Sequence, residues 1–224
     1  ASTSQASLFE RHHCYASALD QYGQVLYLCV GSVFTGNYDI VTSWKRGHDK
    51  HGRLTVIDSG TASGRLGLAA IAVARYSLSA AGSDDVVAYA RRAVNRCREY
   101  IFLDTLKYLA AGGRISKTGA FFGDMLNVKP VIVPDAEGAK KVAVVKNRDG
   151  QIEYALARLA EDAVQSGAVI MLEYSDNRSW ISDVVKPEIE KRHPSAEIII
   201  QPLSLTTGVH TGPGTWAVAY LPGE

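Results

Sequence analysis

QVLYLCV, residues 24–30, is an unbroken run without a charged side chain or a turn former, of strand length and too short for a typical helix. A continuous apolar run of this kind suits a strand covered on both faces, as in a parallel sheet. It leads into GSVFTG, residues 31–36, small and rich in hydroxyls. Open α/β sheets collect ligands at the carboxyl ends of their strands, although a plain strand-to-helix connection with a hydroxyl N-cap fits the same residues. LTVID, residues 54–58, repeats the pattern and is followed by SGTASG, residues 59–64, and by a helix predicted from about residue 65 to 79. Neither loop has the G-x-G-x-x-G or G-x-x-x-x-G-K-[ST] spacing, so the common nucleotide-binding folds are set aside.

Working outward, the N-terminal side offers Thr3 or Ser4 as the cap of a first helix striped by Leu8, Tyr15, Ala18 and Leu19. On the other side Ser83, Asp84 and Asp85 open a helix whose later half carries Arg91, Arg92, Arg96 and Arg98, complementing the helix dipole. TLKYLAAGGRISKTGAFFGDMLNVKP, residues 105–130, places Gly112 and Gly113 between two short amphipathic helices marked by Leu106 and Leu109, then by Phe121, Phe122, Met125 and Leu126. Positive φ at both glycines is expected to end the first helix. Arg114 then stands beside the start of the second, where free N–H groups and a guanidinium form an anion site; a simple C-cap followed by a solvated arginine fits as well.

Residues 131–133 and 141–146 read as a hairpin turning at 135–138. Ile152, Ala155, Leu156, Leu159 and Ala163 mark a helix, residues 169–174 a strand, Trp180, Val184 and Val185 a helix ended or kinked at Pro187, and residues 196–201 a strand. GVHTGPG, residues 208–214, is a constrained loop carrying His210. The fold expected is α/β in two domains: residues 1–100, a parallel-type α/β sandwich, and residues 101–224, a mixed or antiparallel sheet with helices.

The 24 basic and 23 acidic residues leave a net charge of +1, which gives no reason to expect nucleic acid as a partner. Cys14, Cys29 and Cys97 form no C-x-x-C pair, which suits a reducing cytoplasm and neither a disulfide framework nor a metal site. No apolar run reaches membrane-spanning length, and no signal peptide is read.

GGRIS (residues 112–116), LNVKP (126–130) and HTGPG (210–214), in this order and with TSQAS (3–7) and VGSVFTGNY (30–38) ahead of them, resemble the motifs of the DegV family of fatty-acid-binding proteins. That resemblance spans essentially the whole chain. It implies a long acyl chain buried between two α/β domains, with no cofactor, and a carboxylate presented to a fatty acid kinase that phosphorylates it. Matched residue by residue, the carboxylate ligands fall on Thr3 and on Thr35, with Ser32 the near alternative, and Arg114 and His210 match the family's charged residues. Thr35 stands for a serine, Asn37 for a threonine and Ala6 for a proline. The family has elements ahead of the TSQAS position, so the chain is expected to be a piece of a longer protein and to pair an exposed strand edge with another chain, a second copy being one candidate. Leu66, Leu68, Ile71, Phe121, Phe122, Met125 and Leu126 are candidates to line the acyl slot. Two other functions compete: a serine-type acyl hydrolase built on Ser32 or Ser59 with His210 and Asp58, which lacks a G-x-S-x-G elbow, and an interaction module without a ligand.

Overall fold

A computed structural model describes residues 3–79, 82–114, 128–162 and 167–222. The two apolar runs pair as expected: β1 (Val25–Cys29) lies parallel to β2 (Leu54–Asp58), with Val25 opposite Leu54 and Cys29 opposite Asp58. Around them run α1 (Leu8–Gln21), α2 (Asn37–His48), α3 (Ser63–Ser77) and α4 (Ser83–Arg96). The cap of α1 is Ser7, not Thr3 or Ser4. Only residue 7 has a glutamate three positions on, and the pair closes a reciprocal box: the Glu10 N–H donates to the Ser7 hydroxyl at 3.2 Å and the Ser7 N–H to the Glu10 carboxylate at 2.8 Å. Residues 3–6 therefore stay outside the helix.

The second sheet has six strands: β3 (Arg98–Phe102), β4 (Lys129–Asp135), β5 (Gly138–Val145), β6 (Val169–Tyr174), β7 (Glu197–Pro202) and β8 (Trp216–Leu221), in the order β5-β4-β3-β8-β6-β7. β6 and β7 are parallel, and the other pairings are antiparallel. The hairpin of β4 and β5 turns where expected. β3 and β8 correct the sequence reading, which places Arg98 on a helix and no strand after residue 201. Arg98 instead follows the end of α4 and its guanidinium donates to the carbonyls of Asn95, Arg96 and Cys97. β8 is the sheet's most deeply enclosed strand, with residues 216–220 fully buried. The indole of Trp216 stacks on Phe102 at 4.2 Å between centroids and donates to Gln151 at 3.0 Å.

The connections are α5 (Lys107–Ala111), α6 (Arg148–Glu161), α7 (Arg178–Trp180), α8 (Lys186–Arg192) and α9 (Leu205–Thr211). Pro187 does not end its helix. It lies in the first turn of α8, after a π-helical turn Ile181–Val185 that joins α7 to α8 and widens the ladder where the proline ring would meet a carbonyl. Gly112 also departs from expectation, with φ −82, and only Gly113 takes a positive φ, +65. α3 and α4 pack on two sides. Val73, Ala90 and Ala93 meet Ile57, Leu26 and Leu28 of the small sheet, while Leu68, Ala69 and Val94 meet Met171 and Ala219 of the large one. The chain is thus a two-domain α/β fold, a parallel pair and a mixed sheet, joined through a helical layer. Among the described residues no helix is long and apolar enough to cross a membrane.

Candidate functional site

His210 is not in the glycine-rich loop but on α9, whose start is capped by Ser204 accepting from the Thr207 N–H at 3.1 Å. The glycines that follow fix it from behind. Gly212 has φ +84 and lies against the Tyr108 ring, and the Gly214 N–H donates to Asp176 at 2.7 Å. On its front, Nε2 of His210 is 3.2 Å from the Thr3 hydroxyl, while Nδ1 is buried against Gly112 with no hydrogen-bond partner among the described residues. The backbone of α5 can approach so closely only because residue 112 has no Cβ. Arg114 reaches back to the Gly112 carbonyl at 2.6 Å.

Thr35 reaches the same place from the opposite side. Its loop and the 59–64 loop touch backbone to backbone, the Gly31 N–H donating to the Thr61 carbonyl at 2.7 Å; a Cβ at residue 31 would fall 2.7 Å from the Thr61 nitrogen. The Thr35 hydroxyl accepts from the Gln5 amide at 3.2 Å, and Arg11 donates to Gln5 at 2.8 Å. Thr3, Thr35, Arg114 and His210 thus line one cavity of about 670 Å³, whose apolar wall includes Tyr15, Tyr27, Phe34, Ile101, Leu109 and Ile132. This volume falls within the ~300–1,000 Å³ of small-molecule sites.

The other sequence candidates are placed elsewhere. Ser32 is exposed, with its N–H bonded to Asp58 at 3.0 Å, and does not line the cavity. Leu68 and Ile71 line a separate cavity of about 260 Å³ with Tyr76 and Leu221, and Leu66 lines neither. Phe121, Phe122, Met125 and Leu126 lie outside the described residues. Ser59 donates to the Thr61 carbonyl at 3.1 Å, so neither serine is hydrogen-bonded to His210 and no serine–histidine pair forms with Asp58. Sequence reasoning missed Gln5, Arg11, Tyr15 and Tyr27. Arg11 and Tyr15 are four apart on α1 and so share a helical face. That signal was present in the sequence, whereas Gln5 is free to face the cavity only because the helix starts after Ser7. Among the described residues no group of three or more His, Cys, Asp or Glu side chains is arranged to hold a metal.

Burial, with the Arg114 charge beside it, lowers the pKa of His210 below the ordinary histidine value, so the ring is neutral near pH 7. Because the unfolded chain holds the proton more tightly, stability is fully present above the ordinary histidine value and falls as pH drops towards the lowered one. The expected result is that His210→Gln flattens the acid limb of a stability-versus-pH curve between about pH 7 and about pH 5. Urea unfolding at stepped pH checks this, and an unchanged slope would count against it.

The family model described as "Uncharacterised protein, DegV family" matches residues 1–223. A DegV domain-containing protein of Clostridium perfringens is 26% identical over 225 residues, covering 98% of this chain and 77% of the relative. Among solved structures, a fatty-acid-binding DegV family protein from Thermus thermophilus superposes with TM-score 0.88 at 23% identity, covering 99% of this chain and 79% of that one. The Streptococcus pneumoniae Fatty Acid Kinase (Fak) B3 protein, loaded with linoleic acid, superposes with TM-score 0.82 at 18% identity, covering 95% and 76%.

Proposed function

Because this chain belongs to the DegV family, we propose that it binds a long-chain fatty acid in the 670 Å³ cavity and presents the carboxylate to a fatty acid kinase, without itself carrying out chemistry. The observation that carries this reading is the convergence of Thr3, Thr35, Arg114 and His210, from four separate segments, on one cavity with an apolar wall. Hydroxyls, a guanidinium and a neutral imidazole suit a carboxylate. Each buried methylene of the tail contributes about 0.8 kcal/mol, so the tail supplies most of the affinity and the polar groups its orientation. The Thermus and Streptococcus proteins support the reading by their ligands. In this reading the units are residues 1–100 and 101–224 except that β3 (Arg98–Phe102) belongs whole to the second, and Arg11 is a further cation beside the head group.

Extraction of the purified, denatured protein followed by mass spectrometry should release a long-chain fatty acid. Arg114→Ala and His210→Ala should keep much of the tail-burial affinity, losing about 1.5–3 kcal/mol each, while acyl-phosphate formation with an added fatty acid kinase and ATP drops sharply. Acyl phosphate made by this chain alone would overturn the carrier reading. Unchanged transfer in both variants would overturn the roles of the two residues.

A further inference from the structure

Two carboxylates sit directly behind the cavity wall. Glu99 on β3 and Glu173 on β6 flank β8 opposite Ala219 and Ala217, and are only 3% and 2% exposed. Both meet the start of α3, which has Ala62 at its N-cap and no capping side chain of its own. The Gly64 N–H is shared between Glu99 at 3.0 Å and Glu173 at 2.9 Å, and the Ser63 hydroxyl donates to Glu173 at 2.9 Å. A Cβ on Gly64 would fall 2.6 Å from a Glu173 oxygen. Among the described residues, Ser63 alone of the non-glycines has a positive φ, +55. Ala62 and Ser63 are part of the cavity wall. A strained residue of the wall is therefore held from behind by a buried acid.

Two ionised carboxylates cannot share so dry a site. Burial first, and then the charge of its neighbour, pushes Glu99 well above the ordinary carboxylate range, and burial raises Glu173 as well. The donors show which of them keeps the proton. Glu173 accepts from Ser63, Gly64 and, at 3.5 Å, Gln201 of β7, whereas Glu99 has only the backbone N–H groups of Gly64 and Arg65, and its Oε2 is buried with no hydrogen-bond partner among the described residues. That oxygen makes sense as the protonated one, donating to Glu173. The surrounding charges are Arg65 of α3, whose side chain donates to the Val94 carbonyl, Arg98 beside Glu99, Asp135 of β4 and Arg158 of α6 lining the same recess as Glu99, and the Cys97 thiol, which burial pushes up to about 12 and so keeps neutral. β8 presents only alanine methyl groups at the paired positions.

We propose that Glu99 and Glu173 form a one-proton latch that holds Ser63 in the cavity wall, and that release of the proton to solvent at alkaline pH frees Ser63 and lowers ligand affinity. Glu173 is a positioning residue here, acting on the ligand through Ser63. The sign follows from linkage: the fold binds this proton above the ordinary glutamate range where the unfolded chain does not, so stability and wall shape decline as pH rises through the pair's titration. The ligand part rests on the fatty-acid reading.

The test compares the protein with Glu99→Gln, which keeps a donor to Glu173 but has no proton to lose. Oleate affinity is measured from about pH 6 to about pH 9, and Gly64 amide exchange is measured over the same range without oleate. The native protein should lose up to about tenfold in affinity per pH unit beyond the titration. Its Gly64 protection relative to the variant should fall in the same interval, while the variant's affinity stays flat. Parallel curves for the two proteins overturn the latch. Should the native protein bind no oleate at any pH, the fatty-acid reading fails, and the exchange comparison alone decides the latch. If Glu99→Gln does not fold, Ser63→Ala takes its place: weak binding already at about pH 6, with no further loss towards pH 9, supports the latch, and a curve parallel to the native one overturns it.

Discussion

Gly112→Ala is expected to dismantle the polar end of the cavity while leaving both sheets in place. With φ −82 the backbone at 112 suits alanine well, so the whole effect comes from collision. The new methyl would lie inside contact distance of Nδ1 of His210 and 3.1 Å from Cε1. The ring cannot retreat, because Thr3 stands 3.2 Å away on the far side and Tyr108 packs on the Gly212 turn that anchors α9. Forcing a group into such a site costs about 1–3 kcal/mol, and loss of the Thr3–His210 contact with the displaced imidazole should weaken oleate binding by about tenfold or more. Gly113→Ala is the control. Its φ is +65 with none of the described residues within 4 Å of the added atom, so about 1–2 kcal/mol of backbone strain is expected with affinity retained. Urea unfolding and oleate titration of both variants decide it; native affinity in Gly112→Ala would show that His210 is not where the carboxylate is held.

The largest loss of stability is expected from Trp216→Ala. The indole is fully buried, stacks on Phe102 at 4.2 Å, meets Trp180 edge-on at 5.6 Å, and donates to Gln151, itself 1% exposed. Truncation of a buried tryptophan costs about 3–5 kcal/mol, here with a stranded glutamine acceptor besides. Trp216→Phe keeps an aromatic ring but not the donor, and should cost about 1–3 kcal/mol. A shift of the urea midpoint at constant slope is the readout. A loss under about 1 kcal/mol in Trp216→Ala would mean that β8 is not the centre of cohesion.

β1 and β2 were legible because both of their faces are packed, so residues 25–29 could be apolar throughout and residues 54–57 apolar but for Thr55. β3 escaped for the opposite reason. It opens on Arg98 and Glu99, and a buried glutamate becomes intelligible only beside Glu173, a residue 74 positions away on a strand that is not even its neighbour in the sheet. Pro187 misled because proline's effect depends on the ladder before it, and a π turn removes the conflict. In the site, Thr3, Thr35, Arg114 and His210 could be named because short motifs carry them. Ser32 and Thr35, in one loop, could be told apart only by the direction in which the loop leaves Gly31. Gln5 became visible only after the helix start moved to Ser7.

The contact between Thr3 and His210 joins side chains 207 positions apart. Closure of so long a loop is entropically slow to be rewarded, and chains rich in such distant contacts fold slowly. The polar end of the cavity therefore has no local precursor: neither half of the chain can assemble it, and a break between the halves that lets them part would lose it. A ligand held there stabilises the native state by RT ln(1 + [L]/Kd), and that gain acts on both halves at once. Saturation with ligand should thus make unfolding of the two sheets more nearly a single event, so that a probe on β1 and a probe on β8 report the same midpoint.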